Sequence, residues 1–347
     1  MATLTRPLIK LTGVLFIIGV ALCLLMLDIG GRLPPLPQLS YTLPNESGYG
    51  TDIWLVDIQH RLHLRLTGHA ASINNLVWSP DGEQLAYHVL NPGEHQLHIY
   101  TPSTGERVIF RSRPVFPSAP AWSPDSSRLA LISDQDRGLF KLYIMDARTA
   151  QLTLLPTTGA PFDRAPVWSP DGGNIYFYSQ DAQLQRGISR YDLRMGRAEV
   201  VRRYDERVSL LSPDVRRLMV IEDQSTYAVD DLTQAETSRE AFSLNPHISD
   251  PPVSWSPDGN SLIFNSSYTG TSQLYRLTLA DGIIHPLAEI FTVADFAWSP
   301  DGRTIAFMAV DVGQQNTYII ESDGYNLRQI VRALPHLQDI AWRGGGE

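Results

Sequence analysis

Beyond its N-terminus the chain arranges apolar residues in short runs split by polar ones, and no window carries the 3.6-residue stripe of an amphipathic helix. The runs return in step: Leu85-Ala86-Tyr87, Leu129-Ala130-Leu131, Ile175-Tyr176-Phe177, Leu262-Ile263-Phe264 and Ile305-Ala306-Phe307. Some way after them come aromatic-bearing runs such as Leu142-Tyr143-Ile144, Leu274-Tyr275-Arg276 and Thr317-Tyr318-Ile319, then weaker ones such as Arg107-Val108-Ile109-Phe110. Runs of this kind bounded by Gly, Pro, Asn and Asp read as β-strands and turns. Each set is announced by a landmark. Trp78, Trp122, Trp168, Trp255 and Trp298 each open a Trp-Ser-Pro-Asp motif, Leu211 stands in for tryptophan in Leu211-Ser212-Pro213-Asp214, and Trp342 closes the series. The seven marks are 44, 46, 43, 44, 43 and 44 residues apart. A period in the forties predicts propeller blades, four-stranded sheets that bury their faces only against neighbours.

The motif is built for a turn. In Ser79-Pro80-Asp81-Gly82, proline sets the φ of a type I turn, aspartate can bond its own backbone, and glycine accepts positive φ. Ser126 and Val215 replace that glycine in two copies, which predicts looser turns there. Asp81, Asp125, Asp171, Asp214, Asp258 and Asp301 share one spacing, and recurrence in blade after blade assigns them to the scaffold rather than to metal or acid–base chemistry. The tryptophan ends the strand before the turn, where its ring can fill the gap between neighbouring sheets.

Six full repeats start at Trp78, Trp122, Trp168, Leu211, Trp255 and Trp298, and material remains at both ends. Ile340-Ala341-Trp342 reads as an inner strand, while Tyr41-Thr42-Leu43, Ile53-Trp54-Leu55 and Leu62-His63-Leu64 align with the other three strands of a blade. The expected fold is therefore all-β: a seven-bladed propeller over residues 39–343, its last blade closed by the C-terminal strand, which leaves no free edge at the junction. A six-bladed ring with a stray C-terminal strand is the alternative.

Trp-Ser-Pro-Asp-Gly followed by an Ile-Ala-Phe-like strand resembles the WD40-like (PD40) repeat of the TolB family of bacterial propellers. The first repeat, from Leu66-Thr67-Gly68-His69 to Thr104-Gly105-Glu106, is also similar to a true WD40 repeat, with Ile99-Tyr100 where Trp-Asp usually stands. The resemblance implies a propeller and a bacterial source. It implies no single activity, because such repeats occur in binding proteins and beside peptidase domains alike. TolB itself carries a separate N-terminal α/β domain and six blades, so its cellular role does not transfer.

From Leu11 to Leu27 there are 17 uncharged residues, about 26 Å of helix against a hydrocarbon core of about 30 Å. Arg6 and Lys10 precede the run. We read residues 1–10 as a cytoplasmic tail, 11–29 as an uncleaved transmembrane signal anchor, and 30–38 as a Pro-rich spacer that holds the ring in the periplasm or outside the cell. Asp28-Ile29-Gly30-Gly31 is a poor cleavage site, and Leu22 before Cys23 is a poor lipobox. Setting aside the two basic residues of the tail moves the net charge from −9 to −11, a sign that argues against nucleic acid as a partner. Cys23 is the sole cysteine, so the ring must be stable through packing without disulfides.

Catalytic signatures are missing: there is no Gly-x-Ser-x-Gly elbow, His-Glu-x-x-His, P-loop or dinucleotide fingerprint, and no cofactor is implied. His88, Glu94, His95 and His98 crowd one predicted hairpin and include metal-ligating types, but His98 occupies the packing slot held elsewhere by Trp54, Tyr143, Tyr275 and Tyr318. A metal is not expected there. The loops leading into the inner strands differ from blade to blade and carry His69, Asp163, Arg164, Asp205, Arg207, His247, Asp250, Asp295, His336 and Asp339. Variable loops on a constant scaffold are where function usually sits. Two readings follow: a membrane-anchored module that binds a protein, peptide or glycan, or a metal-dependent hydrolase, lactonase or lyase at the channel mouth. Convergence of three or more of those Asp and His residues would favour the enzyme.

Overall fold

Every Trp-Ser-Pro-Asp copy ends an inner strand and turns the chain back into the second strand of the same sheet. The computed structural model describes residues 38–344, apart from 46–49, 60, 69–70, 103, 113–117, 135–139, 158, 162–164, 205–208, 222–225, 234–238, 244–252, 267–272, 290–292, 312–313 and 335–337. Its strands form seven sheets, six of them four-stranded. The third blade's sheet is counted as five-stranded because its first strand is split into Ala160–Pro161 and Val167–Trp168, both paired with Asn174–Gln180. Among the described residues no helix is long and apolar enough to cross a membrane. The expected anchor at 11–29 lies outside the described residues.

The seventh blade is made from both chain ends. Gln338–Trp342 pairs antiparallel with Leu39–Pro44, placing Leu39 opposite Trp342 and Tyr41 opposite Ile340, and Thr51–Asp57 and Leu62–Arg65 complete the sheet. The six-bladed alternative is excluded. We number the blades in chain order, with Ser72–Trp78 as the inner strand of the first and Gln338–Trp342 as that of the seventh.

Seven hydrophobic clusters occupy the seven seams between blades. Trp78, Trp122, Trp168, Leu211, Trp255, Trp298 and Trp342 fall one to a cluster, each filling the seam in front of its own blade. In four seams the indole N–H also donates to the carbonyl just before the previous blade's mark: Trp122 to Val77, Trp168 to Ala121, Trp255 to Leu210 and Trp342 to Ala297, at 2.9–3.0 Å. Trp78 donates to Ser40 Oγ instead, and that hydroxyl passes the bond on to Ala341 O. At these five joints the ring thus takes indole surface out of water and gives the indole N–H a partner.

The motif turns keep one geometry. The serine hydroxyl donates to the aspartate two residues on, the same oxygen accepts a backbone N–H beyond the turn, and the serine Oγ accepts a second one (Ser123, Asp125, Ser127 and Arg128 in the second blade). These bonds hold the Asp125 carboxyl at about 2, the Ser123 hydroxyl contributing most. Aspartate is therefore spent on the turn, as its recurrence suggested. The expected loosening at Ser126 and Val215 does not occur. Their φ values of 59° and 56° lie beside 67–70° at Gly82, Gly172, Gly259 and Gly302, and both close the same backbone hydrogen bond at 2.9 Å. Ser126 has a compensation, since its hydroxyl accepts the Asp81 N–H across the seam. Val215 packs against the cluster between the third and fourth blades.

Candidate binding site at the inner strands

Inner strands touch from the fifth blade through the sixth, seventh, first and second to the third, so a position on one of these faces its counterpart on the next. Three residues before each mark stand Asn75, Ala119, Ala165, Val208, Pro252, Asp295 and Asp339. The polar ones fall on the sixth, seventh and first blades, which are consecutive. Here the strand register also breaks: between Val293 and Asp295, between Asn74 and Val77, and where Gln338–Trp342 pairs with Leu39–Pro44. Asp339 and Asn75 have positive φ values of 46° and 57°. Such bulges re-aim side chains and recur beside functional sites.

A relay of hydrogen bonds crosses both seams. Asp295 accepts its neighbour Phe296 N–H at 2.9 Å and, from the next blade, Ile340 N–H at 3.3 Å. Asp339 accepts Asn75 N–H from the first blade at 3.2 Å. The Asn75 side-chain amide meets His88 Nδ1 at 3.2 Å. Burial raises the Asp295 carboxyl. Burial, and then the Asp295 charge, raise Asp339 to about 6. Burial lowers His88 to about 3, helped by His95 and His98, so this imidazole is neutral at physiological pH. The result is a carboxylate pair in which one member can hold a proton near neutrality, with a neutral amide–imidazole pair alongside.

Sequence reasoning put Asp295 and Asp339 in loops, whereas both lie inside inner strands and are largely buried. His69, Asp163, Arg164, Asp205, Arg207, His247, Asp250 and His336 lie outside the described residues. Asn75 joins the cluster although it was not singled out, and His88 joins it although it was weighed only as a metal ligand of the first hairpin. Aligning the position three before each mark would have found Asn75.

The other candidate, on the first blade, resolves into packing. Tyr87 and His98 stand opposite one another with ring centres 5.5 Å apart, in the register where Phe264 and Tyr275, and Phe307 and Tyr318, stack at 5.7 and 5.5 Å. Glu106 satisfies both rings, accepting the Tyr87 hydroxyl at 2.6 Å and meeting His98 Nδ1. His88 lies opposite Leu97, and alternation along the strand sends it to the other face of the sheet from His98. Among the described residues no three His, Cys, Asp or Glu side chains could hold a metal together.

Comparison with known proteins agrees with this architecture. The chain spans about 30% of the length of a curated relative, the uncharacterized peptidase YuxL of Bacillus subtilis (strain 168), to which it is 28% identical over 213 residues, 58% of this chain. Solved structures of similar fold include TolB from Acinetobacter baumannii (TM-score 0.57, 17% identity, covering 89% of this chain and 67% of that one). An oligogalacturonate lyase in complex with manganese follows at 0.62 and 14%, covering 86% and 85%. The periplasmic gluconolactonase of Pseudomonas aeruginosa stands at 0.57 and 15%, covering 90% and 100%. At such identities the likeness is one of fold. The sequence profile described as the TolB beta propeller domain matches residues 65–243, and the chain belongs to that family.

Proposed function

We propose that the protein is an extracytoplasmic binding module, a ring tethered to the membrane by residues 11–29 that captures a protein, peptide or glycan on the face where the chain enters the inner strands. One observation carries this reading. The seam tryptophans and motif turns repeat almost unchanged, while the position three before each mark varies and becomes polar on three adjacent blades. Constant scaffold with local variation is how repeat folds present a recognition surface. By sequence position His69, Asp163, Arg164, Asp205, Arg207, His247, Asp250 and His336 belong to the segments that lead into the inner strands. Substituting Arg164 or Arg207 with alanine should impair capture of the partner from membrane extracts while changing stability by no more than about 0.5 kcal/mol, as exposed sites usually do. Loss of capture from changes on the motif-turn face, with these variants unaffected, would move recognition to the other side.

The tether has its own test. The full-length protein should stay with membranes through an alkaline wash, and a reporter active only outside the cytoplasm should be active when fused after Glu347. A shortened, released form would instead make the segment a cleaved signal peptide.

A second reading draws on the acid pair. A carboxyl raised to about 6 beside a second carboxylate suits proton transfer, the chemistry that a hydrolase or lyase would need at this place. The lyase and the gluconolactonase supply names for that class but share the fold alone. Turnover that vanishes in Asp339→Asn would favour it over the binding module.

A further inference from the structure

On the opposite, motif-turn face, the seam between the fifth and sixth blades departs from its counterparts. The Trp298 indole is buried like those of Trp78, Trp122, Trp168 and Trp255, yet its N–H has no partner. Beside it opens a cleft of about 340 Å³. Pro257 and Asp258 from one motif turn and Pro300 and Asp301 from the next form its walls, with Arg276 and Trp298 between them. The corresponding seam at the ring closure is filled by the chain itself: a Cβ on Gly82 would lie 2.0 Å from Gly344 O, whereas one on Gly302 would meet only Pro257 Cδ at 3.7 Å.

The charges in this cleft are opposite and near enough for Arg276 to lower Asp258, but among the described residues they form no ion-pair contact. The Arg276 guanidinium lies 6.0 Å from the centre of the Trp298 ring and donates to Ser261 Oγ through Nε and Nη2 and to Ser322 O through Nη1. That uses three of its five N–H groups, all on neutral oxygens. Arg65, Arg111, Arg190 and Arg203 each hold a carboxylate, and among the described residues Arg276 holds none. Asp258 and Asp301 are likewise without a cation in contact. Against the upward push of burial, the Ser256 hydroxyl, Asn260 and the nearby Arg276 charge hold Asp258 below its usual value, and the Ser299 hydroxyl with the Arg303 N–H and charge do the same for Asp301. Both are ionised at neutral pH.

A guanidinium, two carboxylates, two proline rings and an indole thus line one cleft, which offers both signs of charge and apolar surface. We propose that this cleft binds a lysine-type end group, a carboxylate and an ammonium joined by an aliphatic stem, supplied by a free ω-amino acid or by the C-terminal lysine of a peptide. The ligand carboxylate takes the remaining Arg276 N–H groups, the ammonium sits against Asp258 and Asp301, and the stem lies along Pro257, Pro300 and the indole edge. A ligand with only one of the charges leaves the opposite wall unmatched. The site does not depend on the reading of the inner-strand face, and Asp295→Asn should leave it untouched.

Calorimetric titration of the purified full-length protein with 6-aminohexanoate tests the assignment. Binding should be at least about tenfold tighter than that of hexanoate or pentylamine, which each carry one charge. Asp301→Asn keeps the acceptor that Ser299 and Arg303 use, so it should weaken binding at least about tenfold in a ring that still melts cooperatively, at a somewhat lower temperature because folding favours the ionised carboxyl. A peptide ending in lysine, set against its C-terminal amide, separates the sources: binding lost on amidation assigns a peptide terminus, and binding of 6-aminohexanoate without the peptide assigns a free amino acid. No saturation with 6-aminohexanoate, equal binding of hexanoate, or indifference to Asp301→Asn would overturn the proposal.

Discussion

Deleting residues 338–347 should lower the melting temperature of the whole ring by roughly 10 °C or more, not merely fray one end. The segment supplies the inner strand of the seventh blade, and its loss strips Leu39–Pro44 of a partner along Leu39–Thr42. It removes Trp342 and Ile340 from the seam cluster shared with the sixth blade. It also removes the bolt on the first blade, where the Arg343 guanidinium stacks 5.1 Å from the Trp78 ring centre and its Nε donates to Gly82 O at 2.6 Å. Trp342 is half-buried and alone is worth less than the roughly 3–5 kcal/mol of a core tryptophan. The buried Ile340, the strand pairing and the Arg343 contacts go with it, however, and domains of this kind hold only about 5–15 kcal/mol in all. At roughly 2 °C per kcal/mol for a chain this long, a loss of 5 kcal/mol or more gives the stated shift. Thermal melting of the truncated and intact proteins under one buffer decides the matter. A truncated ring within about 2 °C of the intact one would mean that closure contributes nothing to stability.

That closure was legible in the sequence because the repeat has a period. A missing inner strand at one end and a surplus one at the other can be counted without knowing any contact. The seam role of the tryptophans was legible for the same reason, although the carbonyl each indole bonds was not: Ala121 serves Trp168 from 47 residues away. Val215 shows the limit of local rules. A β-branched residue at positive φ predicts a relaxed turn, yet Ser212, Asp214 and Arg217 impose the same bonds as in the glycine-bearing copies. The site was harder still. Asp295 and Asp339 look like solvated loop residues, yet each lies at a register break of its own sheet and accepts an N–H from the next blade, Ile340 for Asp295 and Asn75 for Asp339. The bond from Asn75 to Asp339 spans 264 residues, and no window of sequence contains both ends.

Replacing Asp339 with asparagine should stabilise the protein at pH 7 and do almost nothing at pH 4. In the folded ring its carboxyl is raised from 3.8 to about 6, first by burial and then by the neighbouring Asp295 charge. The ionised form is thus disfavoured on folding. The sign follows: the unfolded chain gives up this proton near pH 4, while the folded ring keeps it until about pH 6. Stability from this group is full below the unfolded value and is lost as pH rises through the folded one. A shift of about two units corresponds to roughly 3 kcal/mol, and coupling to Asp295 and residual solvent reduce that to about 2 kcal/mol. The Asp339 carboxylate faces Asp295 and the Asn75 backbone, with no cation in contact among the described residues to offset the charge. Asparagine keeps an oxygen for the Asn75 N–H, removes the charge and tolerates positive φ. Denaturant unfolding of both proteins at pH 4 and pH 7 reads the result: a gain near 2 kcal/mol at the higher pH that shrinks toward zero at the lower. An asparagine variant less stable than the parent at pH 7 would mean that the Asp339 charge holds the closing seam together rather than straining it.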